Sequence, residues 1–182
     1  MKALDRLLQR WRMGRALRHV ANGARILDIG TFDGRLFELG HTRNITGVGI
    51  DPGLVVAPVD HGSYRLVRGS FPGDVHTEQP FNVVTALAVL EHVPVHEMPS
   101  LLRAIHDRML PHGRFIVSVP SPLVDRILPV LLALRLVDGQ SLEQHYGLET
   151  KVLQDLIARA GFRLVAHERF QLGLNNLLVY ER

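Results

Sequence analysis

The chain has 182 residues, 46% hydrophobic and 21% charged. These are the proportions of one soluble globular domain with a core large enough to fold alone and little room for a second. It has no cysteine, which excludes disulfides, thiolate metal sites and a thiol nucleophile, and its formal net charge of +3 is too small to specify nucleic acid by itself.

Residues 1–20 read as a basic amphipathic helix. Lys2, Arg6, Arg10, Arg12, Arg15 and Arg18 stand against the single Asp5, and Leu4, Leu7, Leu8, Trp11, Leu17 and Val20 recur at roughly helical spacing. Two placements follow: the apolar stripe docks on the domain with a solvated basic face, or the helix makes peripheral contact with an anionic membrane surface. The arginines interrupt any continuous apolar run, so no secretory signal is expected and the location is read as cytoplasmic.

Five bounded apolar runs then follow: ARILDIG (24–30), NITGVGID (44–51), YRLVRG (64–69), FNVVTALAVL (81–90) and RFIVSVP (114–120). Short Val- and Ile-rich runs of this kind suit strands buried on both faces of a parallel sheet. Between the last two, residues 96–110 place Met98, Leu101, Leu102, Ile105, Met109 and Leu110 on one helical stripe. Residues 52–63 and 70–80 contain Pro and Gly and hold no long helix, which predicts a trimmed flank there.

The stretch 120–147 is expected to be a substrate-side insertion. Its Leu123, Val124, Ile127, Leu128, Val130, Leu131 and Leu134 line a pocket for a lipid-like or aromatic group, pack on the domain, or form a homodimer contact. The apolar run at 127–137 is broken by Pro129 and Arg135 and is too short to span a bilayer. Residues 148–161 predict a helix with Thr150 as N-cap and Gly161 as C-cap. Residues 162–170 and 174–182 are strands joined by only three residues, which requires an antiparallel pair. The expected architecture is a single α/β domain over 1–182, a doubly wound, mostly parallel sheet ending in a C-terminal antiparallel hairpin.

In open α/β sheets ligands sit beyond the carboxyl ends of the strands. The first strand runs into Asp28-Ile29-Gly30-Thr31-Phe32-Asp33-Gly34, where Gly30 and Gly34 permit a tight turn and close approach of backbone to a ligand. The second ends in Asp51, 17 residues after Gly34, where a carboxylate can accept hydrogen bonds from both hydroxyls of a ribose.

These residues resemble the class I S-adenosylmethionine-dependent methyltransferases. ILDIGTFDG is similar to that family's first strand and glycine-rich turn, with Phe32 in place of the middle glycine. GVGID resembles its second strand and ribose-binding acid, and FNVVTALAVLEHV its fourth strand running into Leu-Glu-His-Val. MLPHGRFIVSVPSP resembles the run into strand five, and HYGLETKVLQDLIARAGF the later helix ending in Ala-Gly-Phe. The resemblance implies a Rossmann-like fold, S-adenosylmethionine as cofactor with S-adenosylhomocysteine as product, and no metal.

It implies cofactor contacts from Asp28, Gly30, Thr31, Phe32, Gly34, Asp51, Pro52, Ser70, Phe71 and Leu87. Asp28 either organises the turn or reaches the methionine amino group through water. Ser70 stands where many relatives place an aspartate. Glu91, His92, His145 and Tyr146 are implied on the substrate side. His92 is the candidate general base if the acceptor carries a proton; otherwise it packs and caps the turn. The implied activity is methyl transfer to a small-molecule, glycan or lipid-precursor acceptor. The competing reading is a non-catalytic partner module. A nicotinamide-dependent oxidoreductase would want glycine at position 32, and nucleic acid is not an expected partner, because no target-reading domain is present. His92 and His96 are four apart, but Pro94 disrupts a helix between them, so they predict no metal site.

Overall fold

The structure is a computed structural model describing residues 3–121 and 150–182. In chain order its elements are α1 (Ala3–Leu17), β1 (Arg25–Ile29), α2 (Arg35–Leu39), β2 (Thr46–Asp51), β3 (Val59–Asp60), β4 (Tyr64–Arg68), β5 (Phe81–Leu87), α3 (Met98–Asp107), β6 (Met109–Pro120), α4 (Thr150–Arg159), β7 (Arg163–Phe170) and β8 (Asn175–Glu181). Short 3-10 turns occupy His41–Arg43 and Leu90–His92.

The strands form one sheet in the order β3-β4-β2-β1-β5-β6-β8-β7. The run from β4 through β6 is parallel, β8 inserts antiparallel between β6 and β7, and the two-residue β3 closes the other edge antiparallel to β4. This is the doubly wound sheet with a C-terminal hairpin that the sequence predicted.

Period-two alternation divides the core between the two faces. On one face Leu27, Ile29, Val84, Ala86, Phe115, Val117, Leu178 and Tyr180 pack under Met98, Leu102 and Ile105 of α3 and Leu153 and Ile157 of α4. On the other, Ile26, Val83, Ile116, Leu177 and Val179 pack under Met13, Ala16 and Leu17 of α1 and Leu36 and Phe37 of α2. Apolar side chains on both sides of the same strands are the reason these runs read as continuous rather than alternating in the sequence.

Two local expectations are corrected. The helix expected over 96–110 stops at Asp107, because Met109 pairs with Phe81 and opens β6 before a register shift at Val83 and Arg114. As expected of residues 52–63, no long helix connects β2 to β4; the two-residue β3 lies there. On α1 the buried side is Met13, Ala16 and Leu17, continued by Val20, whereas Leu7 and Trp11 are 60% and 41% exposed. Positions 13, 16, 17 and 20 follow the i, i+3, i+4, i+7 rule and define one stripe; Leu7 and Trp11 fall on a different face. The stretch 122–149, with His145, Tyr146 and most of the expected insertion, lies outside the described residues.

Gly14 sits in the interior of α1 on its exposed side, and a Cβ there would meet no atom within 4 Å. Gly14→Ala is therefore expected to raise stability by about 0.5–1 kcal/mol through helix propensity alone, read as a higher midpoint in thermal denaturation.

Candidate active site at the carboxyl ends of β1, β2 and β5

Beyond Ile29 the chain folds back on the end of β2. The Gly30 and Thr31 N–H groups both donate to the Ile50 carbonyl, at 2.8 and 3.2 Å, and Gly34, with φ of 74°, leads into α2. Between them Phe32 takes a left-handed conformation, φ 55°, uncommon for an aromatic residue. Its backbone is held at both ends. The N–H donates to Asp51 Oδ2 at 2.9 Å, and the carbonyl accepts from the Val55 N–H at 3.0 Å. The surrounding hydrogen bonds thus over-determine the turn without a glycine at its centre.

Asp51 is the hub of this arrangement. Its Oδ2 takes the Phe32 N–H and its Oδ1 takes the Gly53 N–H at 2.7 Å, so one carboxylate joins the loops after β1 and β2. Each oxygen keeps acceptor capacity for a further hydrogen.

Beside this hub lies a cleft of 540 Å³. One wall is Arg6, Gln9 and Arg10 of α1; the other is Phe32, Asp33, Arg35 and Val55. Gln9 Nε2 donates across it to Asp33 Oδ1 at 3.2 Å. The helix is tied to the hairpin by Arg15 and His19, which both reach Glu168, at 3.2 and 2.7 Å, and by Gln171 Nε2 donating to the Leu8 carbonyl at 2.8 Å. With three arginines against one carboxylate among its lining residues, the cleft is cationic.

The other expected cofactor residues are distributed around this turn. Thr31 and Leu87 are buried. Pro52 and Ser70 are exposed, the Ser70 N–H donating to Asp74 Oδ2 at 2.8 Å, and half-buried Phe71 lies 5.9 Å from the Arg108 guanidinium. Asp28 is buried, and Thr85 Oγ1 donates to its Oδ1 at 2.6 Å.

Burial pushes the Asp28 carboxyl up to about 6, against the opposing hydrogen bond from Thr85. The folded state therefore holds this proton more tightly than the unfolded chain. The resulting stability is fully present below about pH 4 and is lost as pH rises through about 6, a change of roughly 3 kcal/mol. Asp28→Asn keeps an acceptor for Thr85 and removes the titration. Its stability relative to the wild type, measured by urea unfolding, is expected to rise between about pH 4 and 6 and then level off. A difference independent of pH would show that the carboxyl is not buried in solution.

After β5, Ala88 adopts φ 61° and its N–H donates to the Ser118 carbonyl at 3.1 Å. The 3-10 turn Leu90–His92 leaves the His92 side chain exposed and turns Glu91 inward. Burial raises the Glu91 carboxyl, opposed by a backbone hydrogen bond and by the charges of His92 and Arg12. Arg12, reaching down from α1, is lowered by burial and raised by Glu91. Glu91, expected on the substrate side, is buried in this turn. Arg6, Gln9, Arg10 and Arg12 were not singled out as site residues in the sequence; the only signal was the basic character of the helix. Among the described residues, no group of three His, Cys, Asp or Glu side chains is placed to hold a metal ion.

The sheet order, the inserted antiparallel β8 and the Asp51-bridged turn define the class I methyltransferase architecture. The chain belongs to the methyltransferase-domain family, whose model matches residues 2–167. It is 36% identical over 104 residues to the ubiquinone biosynthesis O-methyltransferase of Pseudomonas syringae pv. tomato, a match covering 53% of this chain and 44% of that protein. The enzyme of the same description from Pseudomonas putida F1 is 35% identical over 105 residues, with the same two coverages. The match thus spans less than half the length of these curated relatives.

Among solved structures, the 1,6-didemethyltoxoflavin-N1-methyltransferase of Burkholderia thailandensis superposes with a TM-score of 0.71 at 19% identity, covering 95% of this chain and 77% of that one. An S-adenosylmethionine-dependent methyltransferase from Archaeoglobus fulgidus gives 0.71 at 16% identity, covering 97% and 94%. At these identities the likeness is one of fold.

Proposed function

We propose that this chain is an S-adenosylmethionine-dependent methyltransferase that methylates a hydroxyl oxygen of a small-molecule or lipid-precursor acceptor. The observation that carries the reading is the Asp51 carboxylate, bridging the Phe32 and Gly53 N–H groups beside a cationic cleft of 540 Å³. The oxygen as target is supported by the curated relatives, which are O-methyltransferases.

The donor set fits the cofactor. The remaining lone pairs of Asp51 suit the two ribose hydroxyls, and Arg6 and Arg10 supply positive charge for the methionine carboxylate. Phe32 offers an apolar surface at the rim. When bound, S-adenosylmethionine supplies a methyl carbon already activated by its sulfonium, so the protein needs no strong acid. The protein's own contribution is alignment and exclusion of water. His92, exposed in the turn after β5, would take the proton of the acceptor hydroxyl, the methyl–sulfur bond breaking as the oxygen–methyl bond forms so that S-adenosylhomocysteine leaves.

Calorimetric titration with S-adenosylmethionine and S-adenosylhomocysteine tests the cofactor half of this reading. Binding of neither ligand by folded protein would overturn it and leave a partner module in its place. For the acceptor half, His92→Ala is expected to lower turnover of a phenolic acceptor by on the order of 100-fold at saturating cofactor, with cofactor affinity retained. Unchanged turnover would remove the base assignment.

A further inference from the structure

The face of α1 turned away from the sheet has a composition that a merely solvated helix does not require. Arg6, Leu7, Arg10, Trp11, Gly14 and Arg18 are all exposed. The spacing i, i+1, i+4, i+5 and i+8 places the first five on one side of α1, and Arg18 follows in the turn just beyond its end. Leu7 is 60% and Trp11 41% exposed, one turn apart, and arginines flank them with no carboxylate in the set. The helix cannot roll to bury them. Its opposite side is fixed by Met13, Ala16 and Leu17 in the core, by Arg15 on Glu168, and by Gln171 on the Leu8 carbonyl.

Arg6 and Arg10 also line the cleft, so this face borders its mouth. Across the mouth, Phe32 and Val55 are themselves 36% and 59% exposed.

We propose that this face of α1 seats the cleft mouth on an anionic lipid bilayer. Trp11 and Leu7 enter the boundary between headgroups and acyl chains, and Arg18 meets the lipid phosphates, while Arg6 and Arg10 at the cleft mouth add to the positive potential of the face. An indole beside an aliphatic side chain, framed by arginines whose stems reach outward, matches the chemistry of that boundary. The two exposed apolar side chains favour lipid over nucleic acid, which would call for cations without an apolar centre. Docking itself does not depend on methyl transfer. Its consequence, that a lipid-borne acceptor enters the cleft directly from the bilayer, rests on the function proposed above.

Trp11 is the only tryptophan of the chain, so its fluorescence reports this face alone. The full chain is mixed with vesicles of phosphatidylcholine, with or without phosphatidylglycerol. The expected result is a blue shift and co-sedimentation only when phosphatidylglycerol is present, both reversed by high salt. Arg18→Glu should weaken vesicle binding by roughly fivefold or more, and Leu7→Ser with Trp11→Ser should abolish co-sedimentation. Both variants should retain wild-type affinity for S-adenosylhomocysteine.

Equal binding to neutral vesicles, no shift with either vesicle, or unaltered vesicle binding by the variants would overturn the proposal. So would a Trp11 shift produced by duplex DNA and not by vesicles. Vesicle binding by a chain that takes no S-adenosylhomocysteine would sink the methyltransferase reading and leave the docking face standing.

Discussion

Replacing Asp51 by alanine is expected to lower the affinity for S-adenosylhomocysteine by on the order of 100-fold. Two charge-assisted hydrogen bonds to ribose hydroxyls, at roughly 1.5 kcal/mol or more each, account for about 3 kcal/mol, which is about two decades in the dissociation constant. A second loss adds to this. The carboxylate accepts the Phe32 and Gly53 N–H groups, and without it the left-handed Phe32 keeps only its link to Val55, so the turn is less preorganised for ligand.

Asp51→Asn separates the two contributions. The amide retains one acceptor oxygen but presents an NH2 to the other N–H donor, so an intermediate loss of about tenfold is expected. Calorimetry gives the affinities, and thermal denaturation of each variant confirms that the fold survives. An alanine variant that binds as tightly as the wild type would show that Asp51 is not the ribose ligand and would remove the central support for the cleft as cofactor site.

Gly47→Ala is expected to cost about 4 kcal/mol or more of stability. Gly47 lies in β2 opposite Ile26 of β1, in the middle of the sheet. A Cβ there would stand 1.9 Å from the Ile26 carbonyl oxygen and 2.8 Å from the Ile26 carbonyl carbon and nitrogen, at a φ of 141°. All three atoms are backbone, so no side-chain rotation relieves the clash. The strands must separate, and the parallel register from Arg25 with Thr46 to Ile29 with Ile50 goes with them.

Losses of this size belong to the exceptional class of single substitutions. They correspond to a fall of about 10 °C or more in the melting midpoint for a chain of this length. Thermal denaturation checks it, with Gly14→Ala as the opposite control: the same methyl added in open space on a helix. Because β1 and β2 carry the Gly30 turn and Asp51 at their ends, the variant should also lose cofactor binding. A change of less than about 1 kcal/mol would mean that β1 and β2 are spaced more widely in solution.

Seven of the eight described strands were legible in the amino-acid sequence; the two-residue β3 and the start of β6 at Met109 were not. Each bounded run of Val, Ile and Leu had to be buried on both faces. The short link at 171–173 allowed only an antiparallel pair, and the position of Asp51 at the end of a strand was legible from the turn residue beside it. These are local properties: periodicity, run length and the chemistry of strand ends, all carried within a window of about ten residues.

The tertiary structure decided what depends on partners far along the chain. Leu7 and Trp11 look like part of an apolar stripe until the sheet selects Met13, Ala16 and Leu17 instead. Arg6, Gln9 and Arg10 become a wall of the cleft only because α1 is tied to β7 and to the β7–β8 turn, and Gln9 meets Asp33 across 24 positions. Phe32 occupies a conformation that would ordinarily call for glycine because Asp51 and Val55 hold its backbone. Glu91 is buried in the turn after β5, where the charge of Arg12 from α1 offsets part of the cost of burying its carboxyl. Each outcome is a choice among faces or conformations that local propensity leaves nearly equal, and packing and long-range hydrogen bonds supply the few kcal/mol that make the choice.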